Sequence, residues 1–266
     1  MKITSLADNY VRRTGLLAEH GFSVCIETDN RLILVDTGQS DIFLKNAGRL
    51  GIEADRIDAL VITHGHYDHT GGASAFLSAN RDAVVYAKKA LFKKRFHGDN
   101  KYIGVPEDLW RYRNRFTFID ADVEIARGIH LVAGINMVYP DDSHITSFME
   151  QNGEQMVQDL FDDELFIVIE EEERISLISA CSHNGISNMT ETAVRKFNKP
   201  VHLVLGGFHL RNETELQIEA GVDRLLAYHP AIIAVSHCTG MNGYFAFLQK
   251  AGGTCMYFAA GDSLSW

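Results

Sequence analysis

His64, His66, Asp68 and His69 crowd into the run Val61-Ile62-Thr63-His64-Gly65-His66-Tyr67-Asp68-His69-Thr70-Gly71-Gly72. Imidazoles two residues apart on extended backbone project to the same side, so His64 and His66 can grip one metal ion together. Asp68 and His69 follow where the chain must turn, displaced from the first pair, and can hold a second ion. Gly71 and Gly72 leave the backbone free to enter a helix packed closely behind. Imidazole with carboxylate is the donor set of zinc, iron or manganese rather than of calcium or magnesium. Metal binding is the physical reason to gather such groups so densely.

Three more histidines share one position relative to an apolar run. Residues 60–63 lead into His64, 177–182 into His183, 201–208 into His209 and 232–236 into His237. Ligands of α/β folds gather where strand ends open into loops. A single such histidine would more often be structural, but the same rule obeyed by all four points to a site. His97, His130, His144, His202 and His229 lack this spacing and read as ordinary. His20, just before the first hairpin, reads as a group supporting a ligand or touching substrate. The four cysteines, Cys25, Cys181, Cys238 and Cys255, are scattered without a CxxC pair. They read as reduced thiols, and Cys181 and Cys238 as small buried ones although they flank candidate ligands. Ser182 stands outside any GxSxG elbow, which leaves a serine hydrolase little support.

The elements that must carry these residues alternate. Runs over 22–28 and 31–35 form a hairpin about Asp29-Asn30, ending in Asp36-Thr37-Gly38. A helix is predicted over 40–50 from Ile42, Phe43, Ala47 and Leu50, with Gly51 closing it. A buried strand over 57–63 delivers the histidine cluster, followed by a helix from 72 and a strand over 83–87. Regularity drops over residues 88–163, which hold Lys88, Lys89, Lys93, Lys94 and Arg95 and the aromatics Tyr102, Trp110, Tyr112, Phe116 and Phe118. This stretch reads as an insertion folding over the site as a lid or pocket wall, with its lysines on a solvated helix face rather than in a phosphate clamp. Pattern resumes with a hairpin over 165–170 and 174–180. Helices over 189–197, 213–228 and 244–251 then alternate with strands over 201–205, 231–236 and 254–259. The whole is an α/β architecture in one domain over 1–266.

Hydrophobic residues at 46% are enough for a substantial core. The net charge of −10 argues against a general nucleic-acid binder. No stretch approaches the roughly 18 apolar residues of a membrane span, and the first residues lack a signal peptide's apolar region. The expected location is the cytoplasm and the expected partner a small molecule, with monomer and homo-oligomer both open.

The run from His64 to His69 resembles the HxHxDH signature of the metallo-β-lactamase fold superfamily. That resemblance implies an αββα sandwich with a metal site at one edge of its two sheets. Carried over by position, His64, His66 and His183 bind a first ion, and Asp68, His69 and His237 a second. Asp36 lies beneath the site and orients the ligand loop. Most superfamily hydrolases place an ion-bridging aspartate after the strand at 201–205; here the chain reads Gly206-Gly207-Phe208-His209, so His209 takes a coordination or proton-transfer role, or the second ion is held more weakly. Glu19-His20-Gly21-Phe22-Ser23, Asp36-Thr37-Gly38-Gln39-Ser40, Cys181-Ser182-His183-Asn184-Gly185-Ile186, Gly206-Gly207-Phe208-His209-Leu210 and His237-Cys238-Thr239-Gly240 together resemble one branch. It is named after 7,8-dihydropterin-6-methyl-4-(β-D-ribofuranosyl)aminobenzene 5′-phosphate synthase.

The implied cofactors are two divalent transition-metal ions, zinc first, with manganese or iron as alternatives. The implied reaction is hydrolysis of a small phosphorylated or cyclic ester, pterin-related as a special case, by a metal-activated hydroxide. Asp68 and His209 are the candidates to orient that hydroxide or pass its proton. The alternative is a binding protein that keeps the metal without catalysis. A flavin-linked diiron protein of this fold would carry a carboxylate where His66 stands and a flavodoxin domain, and neither is present.

Overall fold

The computed structural model describes residues 1–98 and 100–266. Asp99, inside the stretch read as a lid, lies outside the described residues. The chain divides into two compact units. The first is Met1–Asp120, Thr146–Asp163 and Ala259–Trp266; the second is Ala121–Ile145 and Glu164–Phe258.

The first unit is built on a seven-stranded sheet. Its order is Ser263–Ser265, Lys2–Ala7, Ser23–Glu27, Leu32–Val35, Ala59–Val61, Val84–Ala87 and Phe116–Phe118. Pairing is antiparallel through Leu32–Val35 and parallel from there on. The predicted hairpin is present, and Thr28 N–H bonds Arg31 C=O across its turn. Helices Ile42–Arg49 and Ala73–Ala79 supply Phe43, Ala47, Phe76 and Leu77 to a core with Leu6, Leu34, Leu60 and Val85. A smaller four-stranded sheet, in the order Gln155–Gln158, Phe148–Asn152, Arg95–His97 and Lys101–Tyr102, also belongs to this unit.

The second unit repeats the scheme. Its seven strands run Cys255–Tyr257, Ile232–Val235, Val201–Gly206, Ile175–Ser179, Phe166–Glu170, Ile129–Val132 and Val123–Ala126. The first four are parallel and the rest antiparallel. Helix Ile186–Phe197 packs on the strands at Phe166–Glu170 and Ile175–Ser179, and helix Gly240–Ala251 on Cys255–Tyr257. Helix Glu215–Leu226 is opened by a capping box between Thr214 and Gln217, which satisfies two N-terminal donors reciprocally. The α/β class expected from the sequence is the class found.

The stretch 88–163 is not one element. It supplies an edge strand of the first large sheet, the whole small sheet, and the last two strands at one side of the second unit's sheet. Of its basic run, Lys89 and Lys94 are exposed, Lys89 on the short 3-10 segment Lys89–Phe92. Lys93 pairs with Glu150 at 3.0 Å and Asp162 at 2.8 Å, while Arg95 is fully buried. Trp110 and Tyr112 lie on the 3-10 segment Glu107–Arg115, where Trp110 packs on Phe92 and Tyr112 bonds Ser78. Among the described residues no helix is long and apolar enough to cross a membrane.

Candidate metal centre

Parallel strands place their C-terminal ends at one edge of a sheet, and each unit uses that edge. In the first unit, Leu32–Val35 ends in Asp36 and its parallel neighbour Ala59–Val61 leads to Thr63 and His64. Asp36, wholly buried, accepts hydrogen bonds from Thr63 N (2.8 Å), Thr63 Oγ1 (2.7 Å) and His69 Nδ1 (2.7 Å). Thr63 Oγ1 spends its only proton on Asp36, so it accepts from His64 Nδ1 at 3.1 Å. One carboxylate therefore fixes both rings as Nδ1–H tautomers, leaving each Nε2 with a lone pair. Carboxylate backing of this kind orients metal-binding imidazoles.

The donor atoms fit a cation. His64 lies 4.7 Å from His66 and 4.1 Å from His69 by ring centroids. Asp68 Oδ2 is 4.0 Å from His69 Nε2, about half an ångström more than the separation of two such ligands on one tetrahedral ion. Burial pushes the His64 imidazole well below its usual pKa, and His69 and His66 act in the same direction. His64 is thus neutral near pH 7, as a ligand must be. His20 Nε2 stands 3.1 Å from Asp68 Oδ2.

The loop between His64 and His66 is held from below. Gly65 N–H donates to Asp163 Oδ2 at 2.7 Å. Asp163 in turn faces Arg95, whose Nη2 reaches its Oδ1 at 2.7 Å without hydrogen-bond alignment, while Arg95 Nε bonds Asp159 at 2.8 Å. Burial raises the Asp163 carboxyl to about 6, although the Arg95 guanidinium and the Gly65 N–H oppose it. A Cβ at Gly65 would stand 2.3 Å from Leu91 O and 2.7 Å from Arg95 Nη1, so no side chain fits here. Phe161 and Phe148, from the stretch read as a lid, pack on the His66 ring at 5.2 and 5.4 Å.

In the second unit the parallel strands Ile175–Ser179, Val201–Gly206 and Ile232–Val235 are neighbours, and His183, His209 and His237 follow their C-terminal ends. His183 and His209 have ring centroids 4.5 Å apart. Glu164, buried, accepts from His183 N (2.7 Å), Asn184 N (2.8 Å) and Asn184 Nδ2 (2.9 Å), which pins the loop. Asp36, Ser182, His209 and His237 all have φ between 47° and 53°. That region costs non-glycine residues on the order of 1–3 kcal/mol each and clusters at functional sites.

His144 is the residue the sequence reading passed over. It is buried, its ring stacks on His209 at 5.4 Å, and Nδ1 is 2.9 Å from Glu213 Oε1. Its Nε2 has no hydrogen-bond partner among the described residues. Its backbone N–H bonds His183 C=O at 2.8 Å. Glu213 and Glu164 were equally invisible, because no spacing rule links them to the histidines they hold.

The family model for the metallo-beta-lactamase superfamily matches residues 17–149. The uncharacterized protein MJ0448 of Methanocaldococcus jannaschii is 31% identical, over 90% of this chain and 91% of its own length. The 7,8-dihydropterin-6-methyl-4-(beta-D-ribofuranosyl)-aminobenzene-5'-phosphate synthase of the same organism is 26% identical, over 94% of this chain and 91% of its own. The crystal structure of Tm1679, described as a metal-dependent hydrolase of the beta-lactamase superfamily, aligns with TM-score 0.87 and 32% identity. That alignment covers 100% of this chain and 99% of the other.

Proposed function

Because the chain belongs to the metallo-β-lactamase superfamily, we propose that it is a metal-dependent hydrolase of a small phosphorylated or cyclic ester. His64, His66 and His183 would hold one divalent ion, and Asp68, His69 and His237 a second. Zinc suits this donor set, with manganese or iron as alternatives. Such ions, when bound, polarise the attacked oxygen and lower the pKa of water. The observation that carries the reading is Asp36, which fixes His64 and His69 as Nδ1–H tautomers with Nε2 left as a donor.

The chain's own groups have distinct tasks. Asp36 keeps the imidazoles in tautomer and orientation through the reaction. Asp68 carries a carboxylate that His20 touches at 3.1 Å, so a proton received by Asp68 can pass to His20, whose side chain is 40% exposed to solvent. His209, whose ring lies 4.5 Å from that of His183, would orient the attacking hydroxide or pass its proton. The choice of a phosphorylated substrate rests on the relative named for a 5'-phosphate synthase, and hydrolysis on the relative described as a metal-dependent hydrolase.

Metal content per chain tests the assignment directly. The wild type is expected to bind two ions, and His183→Ala and His237→Ala to lose one each; unchanged content in both variants removes it. A screen of metal-loaded protein with phosphodiester, lactone and β-lactam probes tests the reaction. The absence of an acid at 206–209 favours a second reading, a metal-retaining binding protein. No turnover of any probe, with a ligand copurifying, would establish that one instead.

A further inference from the structure

The departure at 206–209 has a physical cause inside the second unit. A Cβ on Gly206 would lie 1.7 Å from Ser179 O, and one on Gly207 would lie 2.5 Å from Ala180 O and 2.6 Å from Cys238 Sγ. No acid fits at either position, because neighbouring backbone and a sulfur already fill the space. The sulfur chemistry there is paired. Cys181 and Cys238 are both buried, neither is in a disulfide, and their Sγ atoms are 3.2 Å apart. Cys238 Sγ also accepts the His209 N–H at 3.3 Å.

Donor atoms of Cys181, His183 and His209 all lie within 4.8 Å of one another, and so do those of Cys181, His237 and Cys238. Cys181 is the member common to both sets. The first set holds a ligand of the one proposed ion, and the second set a ligand of the other. We propose that Cys181 is a sulfur ligand shared by the two ions, standing in for the bridging aspartate that this chain lacks. This rests on the two-ion reading above. Zinc takes thiolate at about 2.3 Å and imidazole at about 2.0–2.1 Å in tetrahedral geometry, so ligand atoms on one ion lie roughly 3.3–3.6 Å apart. The donor atoms, at most 4.8 Å apart, reach that spacing by moving together by no more than about 1.5 Å. Binding forms a metal–sulfur bond and breaks S–H, releasing one proton and changing no oxidation state. Cys238 supports the sulfur from behind, its own position fixed by the His209 N–H.

Cobalt(II) is the probe, because a thiolate ligand gives a near-ultraviolet sulfur-to-cobalt charge-transfer band that imidazole and carboxylate do not. The full chain loaded with two equivalents of cobalt is expected to show the band. Cys181→Ser should lose it and bind at least one equivalent tenfold or more weakly, and Cys238→Ser should keep it. Alkylation of the wild type, mapped by peptide mass, gives a readout that needs no variant to fold: bound metal should protect Cys181 at least tenfold against iodoacetamide. Two bound ions without the band or the protection overturn the sulfur ligand and leave the two-ion site standing. A band that survives in Cys181→Ser and vanishes in Cys238→Ser also overturns it. No bound metal at all overturns both.

Discussion

Replacing Asp36 by asparagine isolates the contribution of one buried carboxylate. Asparagine tolerates the φ of 53° at this position, so the backbone is not the variable. Its Oδ1 can still accept the Thr63 N–H, but an amide nitrogen in place of Oδ2 accepts neither Thr63 Oγ1–H nor His69 Nδ1–H, at 2.7 Å each. Hydrogen bonds to a charged acceptor are worth about 1.5–3 kcal/mol each. Re-pairing recovers part of this, because the amide can donate to His69 Nδ1. That recovery moves the His69 proton to Nε2, the atom needed for metal. The expected result is a stability loss of about 1–3 kcal/mol in the metal-free protein. Metal affinity at the His69 ion should fall about 10–100-fold, equivalent to about 1.4–2.8 kcal/mol. Chelator competition reads the affinity, urea unfolding the stability, and nitrogen NMR of the imidazoles the tautomer. A variant that keeps both its affinity and the Nδ1–H form of His69 would refute the role given to Asp36.

Four further outcomes are expected. Arg95→Met leaves Asp159 and Asp163 buried without their partner and should cost about 3–5 kcal/mol in denaturant unfolding. Asp163 has its folded pKa raised to about 6 from 3.8, so the native state holds the extra proton between these values. Its contribution to stability is full below pH 3.8 and is lost as pH rises through 6. Asp163→Asn should flatten that part of the stability–pH curve, a term on the order of 3 kcal/mol. Gly65→Ala forces the loop off Leu91 O, and should destabilise by about 1–3 kcal/mol and lower metal content. His144→Ala should leave metal content unchanged while reducing kcat/KM at least tenfold on whichever ester the screen identifies, with Glu213→Gln intermediate; full activity in both would make the pair structural.

How much could be read in advance depended on sequence distance. The cluster from His64 to His69 is local, and a spacing of two on extended backbone is a rule of the chain itself. His183, His209 and His237 were legible because a strand end is a local signature, and three parallel neighbours bring those ends together without further information. Asp163 against Gly65 and Glu164 against His183 were not legible, since each contact joins residues 98 and 19 positions apart with no pattern between them. The burial of Arg95 was not legible for a related reason. A guanidinium can be buried when it meets two buried carboxylates, a fact of tertiary pairing alone. His144 hid inside an irregular stretch that contributes pieces to both units.

The left-handed backbone at Asp36, Ser182, His209 and His237 has an evolutionary corollary. If the proposed function is the reason to tolerate non-glycine residues there, a relative relieved of it would be free to drift to glycine at 209 and 237 and gain thermal resistance as it did so. Working and retired members of the lineage should then be separable by melting temperature, with the sturdier proteins being the idle ones.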